Sequence, residues 1–558
     1  MRKTPPHETD SSAPNGVDGL RGLEEEQSPT SGETRIALGL VLAGLSWSAI
    51  CALLAPNGVA QFDDVMHYLY AKWVWSWPAY LFDDWGRPGF TAPYSLAAWF
   101  GWPMCRLLSA TLTAGSAWLA FRIAQMLDVR HPWATVPLAY VQPLFFQLSQ
   151  TTLTETPLAF YLTVALYLAL RDRWSWSAAL ISLCMITRHE AILFVPVWTF
   201  FAWRRGTKLW RLWPILWAPI VANIGASAFN LSTIVQRLFD PEPTTQYGRG
   251  GWLTFFARGL HAWGPGVAML AMTGLWKMSR QRNGMFVATC ILAYFATQTV
   301  IRALGLYGSG GYARFLVPIS PLIAIAALVG WQQLWHEDTG TRRRAVMLAA
   351  ASMILLWLAL ERQIDLHQTR GDIAVEAPTI YLATLIIRIL TVIVTALAMI
   401  SVFGHAKPRW QTYAKPLLPG CIFIIVLLTC YALCRPLKPP EESLLIDEAR
   451  GRLATMGLGD RIILSANAWI DLVNDRPLSP YRPSVREQLE DAPVGTLFAW
   501  ERQFAGSDDH RLRLSEFQES PSFRLVYQTP SKQQEKQPYL TIFEKIGDWG
   551  PPSADNGP

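Results

Sequence analysis

The chain is dominated by uncharged apolar runs long enough to cross a lipid bilayer, which needs about 20 residues as helix. Such runs fall at residues 36–56, 104–126, 132–151, 155–170, 174–188, 190–203, 212–231, 262–277, 284–301, 315–334, 345–360, 379–403 and 416–434. In hydrocarbon a backbone must satisfy its own N–H and C=O groups, so runs of this kind predict helices packed side by side. The expectation is a polytopic α-helical membrane protein with about 13 spans. Composition excludes a soluble class: only 16% of the 558 residues are charged, against about a quarter in soluble domains. The 26 Trp suit the headgroup layer, where an apolar ring with one polar N–H is stable.

The loops give an orientation. Alternate connections carry Arg122 and Arg130, Arg171 to Arg173, Arg204 to Arg211, Lys277 to Arg282, Arg342 to Arg344, and Lys407 to Lys415. Every one is basic, and basic loops stay in the cytoplasm. The net charge of +6 is therefore a topology signal spread over loops, and no nucleic-acid partner is implied. The opposite loops hold the acids: Asp63 and Asp64, Glu155, and the Arg188-His189-Glu190 turn. That side is predicted to be extracytoplasmic in a cytoplasmic (inner) membrane, with the N-terminus in the cytoplasm.

Residues 1–34 are rich in Pro, Ser, Gly and acids and read as a disordered cytoplasmic tail. The helical part ends near residue 436. Residues 437–547 have soluble composition, with a helix over Glu441 to Met456 and strands at 461–465, 496–500 and 539–543. They predict a small extracytoplasmic α/β domain, followed by a disordered tail at 548–558. The seven cysteines lie in or beside apolar runs and imply no disulfide framework. The long 232–261 stretch, rich in Pro and Gly, is a candidate lid.

Charges kept at a hydrocarbon boundary are costly and mark candidate functional sites. On the acidic side they are Asp63, Asp64, Glu155, Arg188, His189, Glu190, Arg302 and Arg314, the last two flanking a Gly-rich turn with Tyr312. Facing carboxylates and guanidiniums make either a polar reaction pocket or a structural ion-pair network.

Four segments carry a family likeness. Asp63-Asp64 with Tyr68 follows the first span, and Thr154-Glu155-Thr156-Pro157-Leu158 opens a later helix. Thr187-Arg188-His189-Glu190 lies between two later apolar runs, and Tyr312-Ala313-Arg314-Phe315 precedes Pro318. In this order they resemble the motifs of GT-C glycosyltransferases, in particular the dolichyl-phosphate-mannose–protein mannosyltransferase-like branch and its bacterial polyprenyl-phosphate-sugar relatives. Two positions depart from that pattern: Asp64 stands for the commoner Glu, and Asp83 to Pro88 replaces a His-Pro-Pro-Leu-like element. The resemblance implies an inverting transferase moving a sugar from a polyprenyl phosphate to an acceptor outside the membrane.

Such transfer needs one base for the acceptor hydroxyl and cations for the departing phosphate. Asp63 is the candidate base. Asp64 points about 100° away if helix follows at once, and then orients the pocket or a metal. Arg188 and Arg314, with Arg302 behind them, are the phosphate-binding candidates. No cofactor is certain, although Asp63, Asp64, Glu155 and Glu190 offer hard oxygens to a divalent ion. A transporter or lipid flippase is the alternative; it predicts inverted repeats and charges at mid-membrane, and the sequence has no internal repeat. A scaffold whose tail binds a partner predicts that Asp63 is freely replaceable.

Overall fold

The computed structural model describes residues 31–59, 62–83, 85–227, 249–335, 339–363, 434–502, 504–505, 512–530 and 538–549, with isolated positions between 389 and 426. The N-terminal tail to residue 30, Asp84, most of the candidate lid, nearly all of the last two apolar runs and the end of the chain lie outside the described residues.

The fold is mostly helical. Among the described residues, four helical segments are long and apolar enough to cross a membrane: Gly32–Leu54, Trp102–Met126, Arg282–Leu304 and Ala313–Leu334. In chain order the helices are α1 (Ser31–Leu54), α2 (Phe62–Trp73), α3 (Pro88–Ala98), α4 (Trp102–Met126), α5 (Thr135–Tyr140), α6 (Pro143–Leu148), α7 (Glu155–Leu170) and α8 (Trp174–Thr187). They continue with α9 (Phe194–Arg204), α10 (Leu209–Ser227), α11 (Thr254–Trp263), α12 (Pro265–Met278), α13 (Arg282–Leu304), α14 (Ser320–Leu334) and α15 (Thr339–Gln363).

Some runs that read as single spans are broken. Residues 132–151 form a short turn followed by α5 and α6, with Gln142 extended between them (φ −74°, ψ 119°). The cause is Pro143, whose ring pushes the preceding residue out of the helical region. Gln142 compensates by donating from Nε2 to Ser320 O at 2.9 Å and Leu138 O at 3.1 Å. Pro318 likewise sits in a 3₁₀ turn, Ala313–Ile319, that precedes α14.

Glu155 opens α7 and Arg171 follows its last residue, so acidic and basic positions lie at opposite ends of that helix. Several Trp side chains are exposed, among them Trp75, Trp99, Trp176, Trp203, Trp210 and Trp276, as suits residues of a headgroup layer. In the bundle α12 and α14 touch backbone to backbone. A Cβ on Gly274 would lie 1.8 Å from Ala326 O, and one on Gly330 2.0 Å from Leu270 O. Small residues allow this approach where no hydrophobic force draws helices together.

The link from α1 into α2 is held by Arg106, buried on α4. It donates to Ala55 O at 2.7 Å and Gly58 O at 2.6 Å, with its guanidinium 4.1 Å from the Trp102 ring. Carbonyls left open at a helix end are thereby satisfied.

The C-terminal residues form a four-stranded sheet: β1 (Ile463–Ser465), β2 (Leu497–Glu501), β3 (Phe523–Gln528) and β4 (Leu540–Lys545), in the order β1-β2-β4-β3. β1 runs parallel to β2, and the other pairings are antiparallel. Helices α16 (Glu441–Thr455), α17 (Ala468–Asn474), α18 (Val485–Asp491) and α19 (Leu514–Gln518) accompany it. The sheet shares one apolar core with α2 and α3, joining Val65, Leu69 and Tyr80 to Ile446, Trp469 and Ile542. Tyr80 Oη donates to Leu478 O at 3.1 Å, Phe62 packs against Phe504 in a tilted pair with centroids 4.1 Å apart, and Lys72 pairs with Asp475.

This packing can be probed at two places. Gly274→Val forces α12 and α14 apart and costs about 1–3 kcal/mol or more, read as a lowered thermal unfolding midpoint of the purified chain. Burial pushes the Asp471 carboxyl up to about 6, against the opposing pull of Arg482. A raised carboxyl favours the folded state at low pH, and that contribution is lost as pH climbs from about 4 to about 6. Asp471→Asn therefore matches wild type near pH 4 and exceeds it by up to about 3 kcal/mol at pH 7, measured by thermal unfolding across that range.

Candidate active site

The first turn of α2 presents Asp63 and Asp64 in different directions, as consecutive helical residues must. Asp64 is fully buried. Its carboxylate accepts from Thr152 N at 2.5 Å and from the Thr152 hydroxyl, which itself accepts from Trp102 Nε1 at 3.1 Å. Asp64 thus ties α2 to the loop before α7. Asp63 keeps 22% of its side chain exposed and pairs with Arg314 Nη2.

From Arg314 the charges continue inward in alternating sign. Its Nη1 donates to Glu155 Oε1 at 3.1 Å, and Glu155, the first residue of α7, is wholly buried. Arg188 Nη1 reaches the same oxygen at 2.5 Å and Thr154 Oγ1 at 3.2 Å. Arg188 Nε pairs with Glu190 at 2.6 Å, and Gln298 Nε2 donates to Glu190 at 3.3 Å. The Phe315 ring lies 4.7 Å from the Arg188 guanidinium and 5.2 Å from that of Arg314, with Tyr312 5.5 Å from Arg314. Both cations therefore rest on an aromatic floor, which shields them from water and fixes their planes.

Other sequence candidates lie at the margin. Arg302 closes the Gly-rich turn: Nη1 donates to Ser309 O at 2.9 Å, and the side chain threads between Gly250 and Gly311. At Gly311, φ is 67°, and a Cβ there would meet Arg302 Cδ at 2.7 Å. His189 is half-buried at the start of the turn that carries Glu190. Among the described residues no group of three His, Cys, Asp or Glu converges as a metal site; Asp63, Glu155 and Glu190 each face a guanidinium.

No protein-family model matches the sequence, and no curated protein matches it. Among solved structures, the chain is similar to ArnT from Cupriavidus metallidurans bound to undecaprenyl phosphate. That likeness has a TM-score of 0.55 at 12% identity, over 90% of this chain and 97% of the other. The apo state of the same protein matches with a TM-score of 0.51 at 13% identity, over 92% and 98%. The chain has the GT-C fold.

Within this GT-C fold several residues outside the sequence candidates border the site. Gln298 is the one amide side chain in the apolar run 284–301, a polar signal legible in the sequence. Thr152 carried none. His67 lies one turn after Asp63 on the same side of α2, buried between Trp85 and Phe90 with ring centroids at 5.7 and 5.1 Å. Burial, then the charges of Arg87, Arg314 and Arg188, hold its imidazole well below the usual range and keep it neutral. Its Nδ1 has no hydrogen-bond partner among the described residues.

One carboxylate, Glu155, is shared by Arg188 and Arg314. Glu155→Gln leaves Arg188 with Glu190 alone and Arg314 with Asp63 alone and should cost about 3–5 kcal/mol, whereas Glu155→Gln with Arg188→Met and Glu190→Gln removes Arg188 together with both of its acids and recovers part of that loss. Thermal unfolding of the three proteins in one detergent checks the order.

Proposed function

We propose that the protein is an inverting glycosyltransferase that moves a sugar from a polyprenyl-phosphate donor to an acceptor on the extracytoplasmic side of the membrane. The observation that carries this reading is the chain Asp63–Arg314–Glu155–Arg188, a carboxylate and two fixed guanidiniums within one polar cluster. The solved relative with this fold holds undecaprenyl phosphate, which supports a lipid-phosphate donor here. Placing this cluster outside the cytoplasm rests on the basic loops at the other end of the bundle, and it puts the C-terminal domain on the same side.

In this mechanism the acceptor oxygen attacks the anomeric carbon as the bond from that carbon to the phosphate oxygen breaks. The phosphate leaves with the electron pair and the acceptor proton passes to Asp63. Phosphate is a good leaving group, so no second carboxylic acid is needed on that side, unlike glycoside hydrolysis. Arg314 and Arg188 present planar forks suited to a phosphate, preset by Glu155 and Phe315 so that little reorganisation accompanies charge development. Arg314 engages Asp63 directly. A donor phosphate that takes Arg314 releases that carboxylate for the acceptor proton, so donor binding precedes base function. Asp64, bound to Thr152, positions α2 and takes no part in proton transfer.

Cluster position disfavours the transporter reading: these charges sit at helix ends beside the loops, where a transporter places its site near mid-membrane. Asp63→Asn should lower transfer about 10²- to 10⁴-fold with membrane insertion unchanged and stability lowered only by the loss of one part-exposed ion pair, about 1 kcal/mol. Purified protein incubated with radiolabelled polyprenyl-phosphate sugars and a membrane extract gives the readout, and the labelled fraction names the acceptor class. An Asp63→Asn variant that retains full transfer removes Asp63 as base.

A further inference from the structure

The basic end of the bundle holds a cleft that sugar transfer does not use. Its floor is apolar, made by Ala169, Leu170, Trp174, Phe201, Met285 and Phe286, and it encloses about 120 Å³. Phe286 stacks against Phe201 at 4.5 Å and against Trp174 at 6.4 Å, which keeps the floor open as an aromatic wall. Arg204, Arg205, Arg282 and Asn283 form the mouth. Arg205, Arg282 and Asn283 also line an adjoining cleft of about 460 Å³ that reaches Asp128 and Gly284.

The mouth carries surplus positive charge. Arg205 is held by Asn283 Oδ1 at 2.5 Å and lies 4.0 Å from exposed Asp172. Arg204 has its guanidinium 5.8 Å from the Phe200 ring, and neither it nor Arg282 has a carboxylate partner among the described residues. Among the described residues three guanidiniums thus share two carboxylates, Asp172 at 4.0 Å from Arg205 and Asp128 in the adjoining cleft, which leaves a surplus of positive charge. Exposed Trp176 lies two residues after Trp174 and exposed Trp203 one residue before Arg204, and exposed Trp suits the headgroup layer. An apolar floor with guanidiniums at its mouth matches one amphiphile: a phosphodiester at the mouth and an acyl chain along the floor.

We propose that this cleft binds an anionic phospholipid of the surrounding leaflet, with the phosphodiester held by Arg204, Arg205 and Arg282 and the chain against Phe201, Trp174 and Phe286. Guanidinium forks select phosphate oxygens, and basic pockets between helices at a membrane face recognise anionic headgroups. The site lies at the opposite end from Asp63 and is independent of sugar transfer.

The test uses the full chain, purified and delipidated in detergent, titrated separately with phosphatidylglycerol, phosphatidylcholine and inorganic phosphate. Thermal midpoint and lipid retained in native mass spectra are read together. Phosphatidylglycerol is expected to raise the midpoint and remain bound, with phosphatidylcholine and free phosphate ineffective at equal concentration. Arg204→Gln with Arg282→Gln should weaken phosphatidylglycerol about 30-fold, at about 1 kcal/mol per removed cation. Lys208→Gln, a basic residue nearby that does not line the cleft, should leave it within about twofold of wild type. Equal effects of the two lipids, an equal effect of free phosphate, or an equal loss in the Lys208 variant would overturn the proposal. If the double glutamine variant fails to fold, Arg204→Ala and Arg282→Ala singly must each weaken phosphatidylglycerol, and unchanged binding in both overturns it as well.

Discussion

A carboxylate buried at a helix end, with two guanidiniums on one of its oxygens, governs how this bundle closes. Glu155 has no exposed surface and serves Arg188 at 2.5 Å and Arg314 at 3.1 Å. Charges removed from water are tolerated only when paired with good geometry, so each partner must arrive at its place. The partners come from separate elements: Asp63 from α2, Glu155 from α7, Arg188 and Glu190 from the turn between α8 and α9, Gln298 from α13, and Arg314 from the turn before α14. Apolar helices in lipid have little reason to prefer one neighbour over another. Alternating signs supply that reason, because any other order sets like charges together.

The same arrangement suits a site that waits for an anion. A guanidinium without a partner at that depth would be expensive, and one held too tightly would not yield to a ligand. Here each cation is satisfied by a carboxylate, which on the proposed reading the donor phosphate replaces, and the Phe315 ring lies against both guanidiniums. Structure and proposed chemistry therefore need the same residues, which is why a mutual-neutralisation reading and a reaction-pocket reading of these charges do not compete.

Charge placement was the part of this molecule most open to reading in advance. Asp63, Glu155, Arg188, Glu190 and Arg314 stand out because each interrupts or borders an apolar run, and the cost of charge there is local. Their pairing is not local, and nothing in the sequence says that Arg314 contacts both Asp63 and Glu155. Arg302 stands behind Arg314 as a phosphate candidate by charge and depth; its side chain also runs close against Gly250 and Gly311, an approach that the sequence does not show. Residues 132–151 read as one span because apolar content hides the break at Pro143. β3 went unread because an edge strand carries exposed Arg524 and Leu525 and has no continuous apolar run. Thr152 has no signature, since its task appears only when α2 is laid beside the loop before α7.

Composition changes abruptly near residue 436, yet the packing has no boundary there. α2 carries Asp63 toward Arg314 on one side and inserts Val65 and Leu69 into the core shared with Trp469 and Ile542 on another. Asp64 fixes the same helix to Thr152. A short helix of 12 residues is marginal alone in water, so α2 depends on these two attachments for its place. The direction in which Asp63 points is consequently set from both sides: by a buried hydrogen bond to the helical bundle, and by apolar contacts with the C-terminal domain, to which Lys72–Asp475 and Tyr80–Leu478 add polar links across 403 and 398 residues of chain.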